Sequence, residues 1–364
     1  MEPLIRSYHK AFLLLVVSYY FLVLNHICAE QIRSVGGCDL YQGSWVYDES
    51  YPLYDSSKCP FINEGFHCVA NGRPDKDYLK YRWSPSGCDA PKFDALDFLR
   101  RYTGKKIMFV GDSISNNQWQ SLICMIHAAI PNAKYSGHLV RNTVSRNFTW
   151  QEYNISLLYN KNVYLVDWVV ENSERVLKID TISTGDIWKE VDVVIFNTWH
   201  WWWHTGRLQR WDKIQEGNKS YKDLDRLVAF TKGLTTWSRW VDNNIDPNKT
   251  QVFYQGISPA HLNGNDWGSP RTSCVNHTAP INGTVYPGSS IPGVDVVKQV
   301  LSKMSVPVNL LDITTLSQLR IDGHPSYYAN KGGTAHDCGH WCLAGVPDTW
   351  NSLFYASIVL AESA

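Results

Sequence analysis

Gly111-Asp112-Ser113 closes the apolar run KKIMFVGDS, after which the residues fall into helical spacing. A serine at the carboxyl end of a parallel strand stands where open α/β sheets gather their reacting groups. Its backbone N–H, at a helix start, can face a developing oxyanion. Alone, the tripeptide is more often an ordinary strand-to-helix turn in which Asp112 or Ser113 caps the helix. Far along the chain, His336-Asp337-Cys338-Gly339-His340-Trp341-Cys342 sets an Asp three residues before a His. That spacing lets an Asp oxygen hold Nδ1 of His340, leaving Nε2 to take a proton from Ser113. Cys338 and Cys342 would stiffen this loop if both are bridged. Between these stretches lies Phe196-Asn197-Thr198-Trp199-His200-Trp201-Trp202-Trp203-His204. Asn197 can donate to the same oxyanion as the Ser113 N–H, and Trp199, Trp201 and Trp202 can wall a site for sugar rings. Packing beneath a loop explains the tryptophans equally well. His200 with His204, and His336 with His340, have the i, i+4 spacing of helical metal ligands, but no acidic third ligand accompanies them, so no metal is expected.

Strands and helices must position these residues. Short apolar runs bounded by polar or turn residues predict buried strands at 106–111, 191–197, 251–255 and 308–313. Amphipathic stretches predict helices over 115–129, 224–243, 294–304 and 348–360. This alternation implies an α/β fold, a doubly wound α/β/α sandwich around a parallel sheet. Residues 153–168 read as a β-hairpin turning at Asn160-Lys161-Asn162, inserted into that pattern. The stretch 38–91 is short of aliphatic runs and rich in Gly, Pro, Tyr and Cys, which predicts a loop-rich lobe packed on the core. The organisation expected is an N-terminal signal segment at 1–30, a Cys-rich lobe at 31–92 and the main domain at 93–364.

Lys+Arg and Asp+Glu both number 34, so no net field recruits an acidic partner, and nucleic acid is not expected as one. The load of 16 Trp and 20 Tyr instead suits stacking on sugar rings. Arg6, His9 and Lys10 precede an apolar run at 11–27, the pattern of a secretory entry signal. As a helix it reaches about 26 Å, slightly short of the hydrocarbon layer, so it reads as a thin type II anchor or a cleaved signal peptide. Ile27 is bulky where cleavage after Ala29 prefers a small residue, which favours the uncleaved anchor. Sequons at Asn147, Asn154, Asn218, Asn248, Asn276 and Asn282 agree with a lumenal chain. Outside the apolar segment with Cys28, eight cysteines remain, and with no C-x-x-C among them four disulfides are the natural reading.

GDS within VGDSISNNQWQSL, then FNTWHWW, and above all DCGHWCLAGVPDTWN resemble motifs of the plant trichome birefringence-like proteins. These are polysaccharide O-acetyltransferases related to the SGNH/GDSL esterases. The resemblance runs from about Cys38 to the C-terminus. It implies a Ser113, His340, Asp337 triad and an oxyanion donor at Asn197. It also implies disulfides pairing Cys38 with Cys88, Cys59 with Cys124, Cys68 with Cys342 and Cys274 with Cys338. The implied activity is acetyl transfer to a wall polysaccharide, xylan foremost, in the Golgi membrane. The co-substrate would be acetyl-CoA or another acetylated carrier; no bound cofactor and no obligate protein partner are expected. A polysaccharide acetyl esterase, a protein secreted after signal cleavage, and a non-catalytic wall-polysaccharide binder are the alternatives. Two departures stand out: Asn116 where many members have Arg or Leu, and Leu343-Ala344-Gly345 where many have LPG.

Overall fold

The computed structural model describes residues 38–138, 144–270, 272–334 and 336–363. The apolar N-terminal run, and with it the signal-segment expectation, lies outside them. Among the described residues no helix is long and apolar enough to cross a membrane.

The chain opens with an antiparallel hairpin, β1 (Gly43–Tyr47) and β2 (Tyr81–Pro85), joined by a long excursion of short 3-10 turns. Trp45 and Trp83 meet edge-to-face across it, and Trp45 Nε1 donates to the Leu316 carbonyl in the main domain at 2.8 Å. Helix α1 (Ala95–Arg101) then leads into strand β3 (Lys106–Gly111) and helix α2 (Ser113–Ala129).

Strands β4 (Tyr135–His138), β5 (Ser145–Trp150) and β6 (Ile155–Lys161) follow. Apart from a small sheet, the strands of which lie on both sides of β9 in sequence, there follow β9 (Val193–Phe196), helix α3 (Arg226–Asn244), β12 (Gln251–Gln255), helix α4 (Gly293–Leu301), β13 (Val308–Leu311), the short helix α5 (Thr314–Gln318) and helix α6 (Val346–Glu362). The main sheet runs β13-β12-β9-β3-β6-β5-β4. From β13 to β6 every pairing is parallel, and β5 and β4 extend that edge antiparallel. From β3 the chain adds β6 on one side, then β9, β12 and β13 on the other. The order therefore reverses beside β3, the place where open α/β sheets hold their ligands.

Two apolar cores cover the two faces. Phe109, Ile195 and Phe253 face Trp119, Leu122, Trp350 and Phe354 of α2 and α6. Val110, Phe196 and Tyr254 face Phe230, Trp237 and Val297 of α3 and α4. The fold is thus the α/β/α sandwich that the alternating pattern predicts. The four predicted strands and four long helices are present, with α2 starting two residues earlier than predicted because Asp112, not a later residue, caps it.

The hairpin expected at 153–168 is not there. Residues Ile155–Lys161 instead form β6, a central strand parallel to β3 and antiparallel to β5. Asn160-Lys161-Asn162 is its carboxyl end, where Trp188 Nε1 donates to Asn160 Oδ1 and the Asn162 N–H donates to the Gly111 carbonyl. Local turn propensity gave way here to pairing on both edges. Sequence patterning also missed the small sheet of β7 (Asp167–Glu171), β8 (Glu174–Lys178), β10 (Lys213–Glu216) and β11 (Lys219–Tyr221), in the order β11-β10-β8-β7. Its strands are short and held partly by surface ion pairs such as Lys178–Glu171 and Lys213–Glu174, and they carry only brief apolar stretches such as Trp168-Val169-Val170.

Candidate active site

The turn from β3 into α2 needs Gly111. A Cβ there would stand 2.3 Å from the Asn197 carbonyl, so only glycine lets the ends of β3 and β9 close on one another. Asp112 caps α2, its Oδ1 accepting from the Ile114 N–H at 2.8 Å. Capping and chemistry are therefore not alternatives at this turn. Asp112 takes the cap, and Ser113, the first residue of the helix, is left half-exposed.

Ser113 Oγ lies 2.6 Å from His340 Nε2, and His340 Nδ1 lies 2.7 Å from Asp337 Oδ2. Asp337 is held well below the usual carboxylate range. Burial opposes that, but hydrogen bonds from His340 and from the Gly339 N–H, with the imidazole's charge, outweigh it. An ionised carboxylate only accepts, so Nδ1 carries the hydrogen and Nε2 of the neutral ring accepts from Ser113. Burial also pulls His340 down, yet Asp337 and the Asp112 charge hold it above its ordinary value.

The loop carrying His340 is fixed from several sides. Disulfides Cys68–Cys342 and Cys274–Cys338 bracket it, and the molecule also contains Cys38–Cys88 and Cys59–Cys124, the pairs the resemblance implies. Because Cys274 and Cys338 are bonded to each other, their sulfurs beside His336 are not thiolate ligands. Asn117, unremarked in the sequence, accepts from the Trp341 N–H at 2.8 Å and donates to the Trp341 carbonyl at 3.1 Å. His324 Nδ1 donates to the His340 carbonyl at 2.6 Å, and its ring stacks on Trp341. Burial pushes His324 and its neighbour His261 toward their neutral forms. The signal for Asn117 was the polar run Ser115-Asn116-Asn117-Gln118, which a helix packed under a sheet does not need for its own stability.

Asn197 follows β9 directly and is buried, 2% exposed. Its N–H donates to the Val110 carbonyl at 2.9 Å, which places it level with the end of β3. Asn116 receives Arg146 of β5, whose guanidinium lies over Trp119 and Tyr159. A positive charge thus reaches the first turn of α2 from another strand.

The tryptophan run requires a correction. Trp202 does not line a surface; it is fully buried, its Nε1 donating to Thr198 Oγ1 and its ring packed on Gly233. Residues 200–203 form a single 3-10 turn, which drives one of its side chains inward. Trp199 is 7% exposed, Trp201 is half-buried with Arg210 over its ring, and Trp203, which the sequence did not single out, is 46% exposed. Of the sequons, Asn154, Asn218, Asn248, Asn276 and Asn282 are exposed, while Asn147 lies within β5 and is half-buried.

Comparison with known proteins agrees in extent with this architecture. Residues 90–357 match a GDSL/SGNH-like acyl-esterase family found in Pmr5 and Cas1p, and residues 36–89 match the PMR5 N-terminal domain. The chain is 53% identical over 329 residues to protein trichome birefringence-like 38 of Arabidopsis thaliana, covering 90% of this chain and 86% of that one. It is 50% identical over 360 residues to protein trichome birefringence-like 42 of the same plant, covering 97% and 99%.

Proposed function

Because the chain belongs to the trichome birefringence-like family and carries a GDSL/SGNH-like acyl-esterase domain, we propose that it transfers acetyl groups to hydroxyls of a wall polysaccharide, xylan foremost. The observation that carries this reading is the Ser113–His340–Asp337 relay at the carboxyl ends of the parallel strands. His340 Nε2 takes the Ser113 proton as Oγ attacks the acetyl carbonyl of a donor, acetyl-CoA or another acetylated carrier. The Ser113 N–H and the Asn197 amide are the donors for the oxyanion, and Asp337 stabilises the imidazolium. The imidazolium returns its proton to the leaving group. An acceptor hydroxyl then gives its proton to Nε2 as it attacks the acetyl-serine, and the imidazolium passes that proton to the departing Ser113 Oγ, restoring the enzyme.

Disulfides of this number suit an oxidising compartment. We place the protein in the secretory pathway, held in the Golgi membrane by its N-terminal segment with the catalytic domain in the lumen. The test is acetyl transfer to xylan oligosaccharides, read by NMR of the products. Ser113→Ala is expected to lower the rate by about a thousandfold or more; retention of most of it sinks the relay. The acyl-esterase description of the matching family supports a second reading, in which water replaces the sugar. Acetate released at the same rate with and without oligosaccharide favours that reading.

A further inference from the structure

Trp203 stacks on Trp199, centroids 5.1 Å apart and planes 26° from parallel. Trp199 can lie behind it because residue 293 is glycine: a Cβ there would sit 2.1 Å from Trp199 Cζ3. One face of the Trp203 indole is therefore covered, while the side chain as a whole stays 46% exposed. In the same turn, His200 Nε2 lies 2.8 Å from the Ser258 carbonyl. A carbonyl only accepts, so Nε2 carries the hydrogen; in the neutral ring Nδ1 is then an acceptor, and no donor among the described residues occupies it. This ring borders the relay: Cε1 and Nδ1 stand 4.0 Å from the position a Cβ would take on Gly339, the neighbour of His340.

A rigid, backed aromatic face with a hydrogen-bond acceptor at its rim matches a pyranose, which offers an apolar C–H face edged by hydroxyls. The electron-rich indole face attracts the C–H hydrogens, and the imidazole accepts from a hydroxyl. An apolar protein partner would use the first feature and leave the second unpaired. We propose that the turn His200–Trp203 is the acceptor subsite, with one sugar ring on the open face of Trp203 and one of its hydroxyls donating to His200 Nδ1. The acceptor role rests on the acetyl-transfer reading; the sugar-binding role stands without it.

The full chain carrying Ser113→Ala, in which turnover is expected to be slow enough for binding to be read alone, separates the two. Calorimetric titration with β-1,4-xylose, β-1,4-mannose and α-1,4-galacturonate hexasaccharides gives the parent affinities. Adding Trp203→Ala is expected to weaken the best of these by about tenfold or more. Trp203→Phe should retain most of the affinity, and His200→Ala should lose about three- to tenfold. Trp168→Ala, which removes an indole 42% exposed on the small sheet, should bind as the parent does. Unchanged affinity in Trp203→Ala with a native near-UV circular dichroism spectrum overturns the subsite. So does a folded parent that binds none of the three sugars. If Trp203→Ala does not fold, Trp203→Gln takes its place, and the same two outcomes decide. A binding loss through Trp203 in this background, together with no acetyl transfer by the chain with Ser113 intact, would sink the transfer reading and leave the subsite standing.

Discussion

His340 sits between opposing influences: burial favours its neutral ring, and the charges of Asp337 and Asp112 favour the imidazolium. The charges prevail, so the ring titrates above its ordinary value of 6.5. Since catalysis needs the neutral ring, kcat/KM is expected to rise with pH along an acid limb whose midpoint lies above 6.5. In Asp337→Asn the main opposing charge is gone and burial gains weight, so that midpoint should fall as the rate drops. A pH–rate profile of both proteins checks this, and an unmoved midpoint would show that Asp337 does not set the titration of His340. The pair was legible in the sequence because Asp and His stand three residues apart in one loop. Trp203 was not, since four consecutive aromatic or histidine side chains look alike until the turn assigns one to the core and one to solvent.

Helix α2 buries almost its whole length, including Asn116, Asn117, Gln118, Gln120 and Ser121. Such a helix gains little from local propensity and is held by what its side chains meet. Asn117 meets the peptide of Trp341 with both ends of its amide, joining the element that carries Ser113 to the loop that carries His340. In Asn117→Ala the buried Trp341 N–H and carbonyl lose these partners, at a cost of about 2–4 kcal/mol. The expected result is a lower melting temperature and a kcat reduced by about tenfold or more, as the imidazole drifts from Ser113. Asn117→Asp keeps the acceptor and loses the donor, and should fall between. Stability and kcat both equal to wild type would show that this clamp positions nothing. The same scale explains the misread hairpin: β6 has an alternating burial pattern, but both its neighbours precede it, β5 through the short turn at 151–154 and β3 across the whole of α2, so the turn lies before the strand and not at Asn160-Lys161-Asn162.

At the scale of the molecule, the lobe and the main domain meet at the site. Phe66 lies 5.4 Å from the His340 ring, Arg73 donates to the His324 and Asp322 carbonyls, and Cys68–Cys342 closes a span of 274 residues. Removing that bridge in Cys68→Ser/Cys342→Ser should destabilise the chain by about 2–5 kcal/mol. It should also lower activity at temperatures where the fold persists, which activity assays paired with thermal melts would reveal. Activity that falls only with unfolding would make the bridge a matter of stability alone. Sequence by itself determined the sandwich, the strand ends and the Asp337–His340 pair, because apolar runs, helical spacing and a short Asp–His interval are local properties written along the chain. Tertiary structure decided which residues meet. Ser113 reaching an imidazole 227 positions away, Asn117 gripping Trp341 and Trp203 left open beside His200 all depend on chain crossings, and distance along a polymer does not encode distance in space.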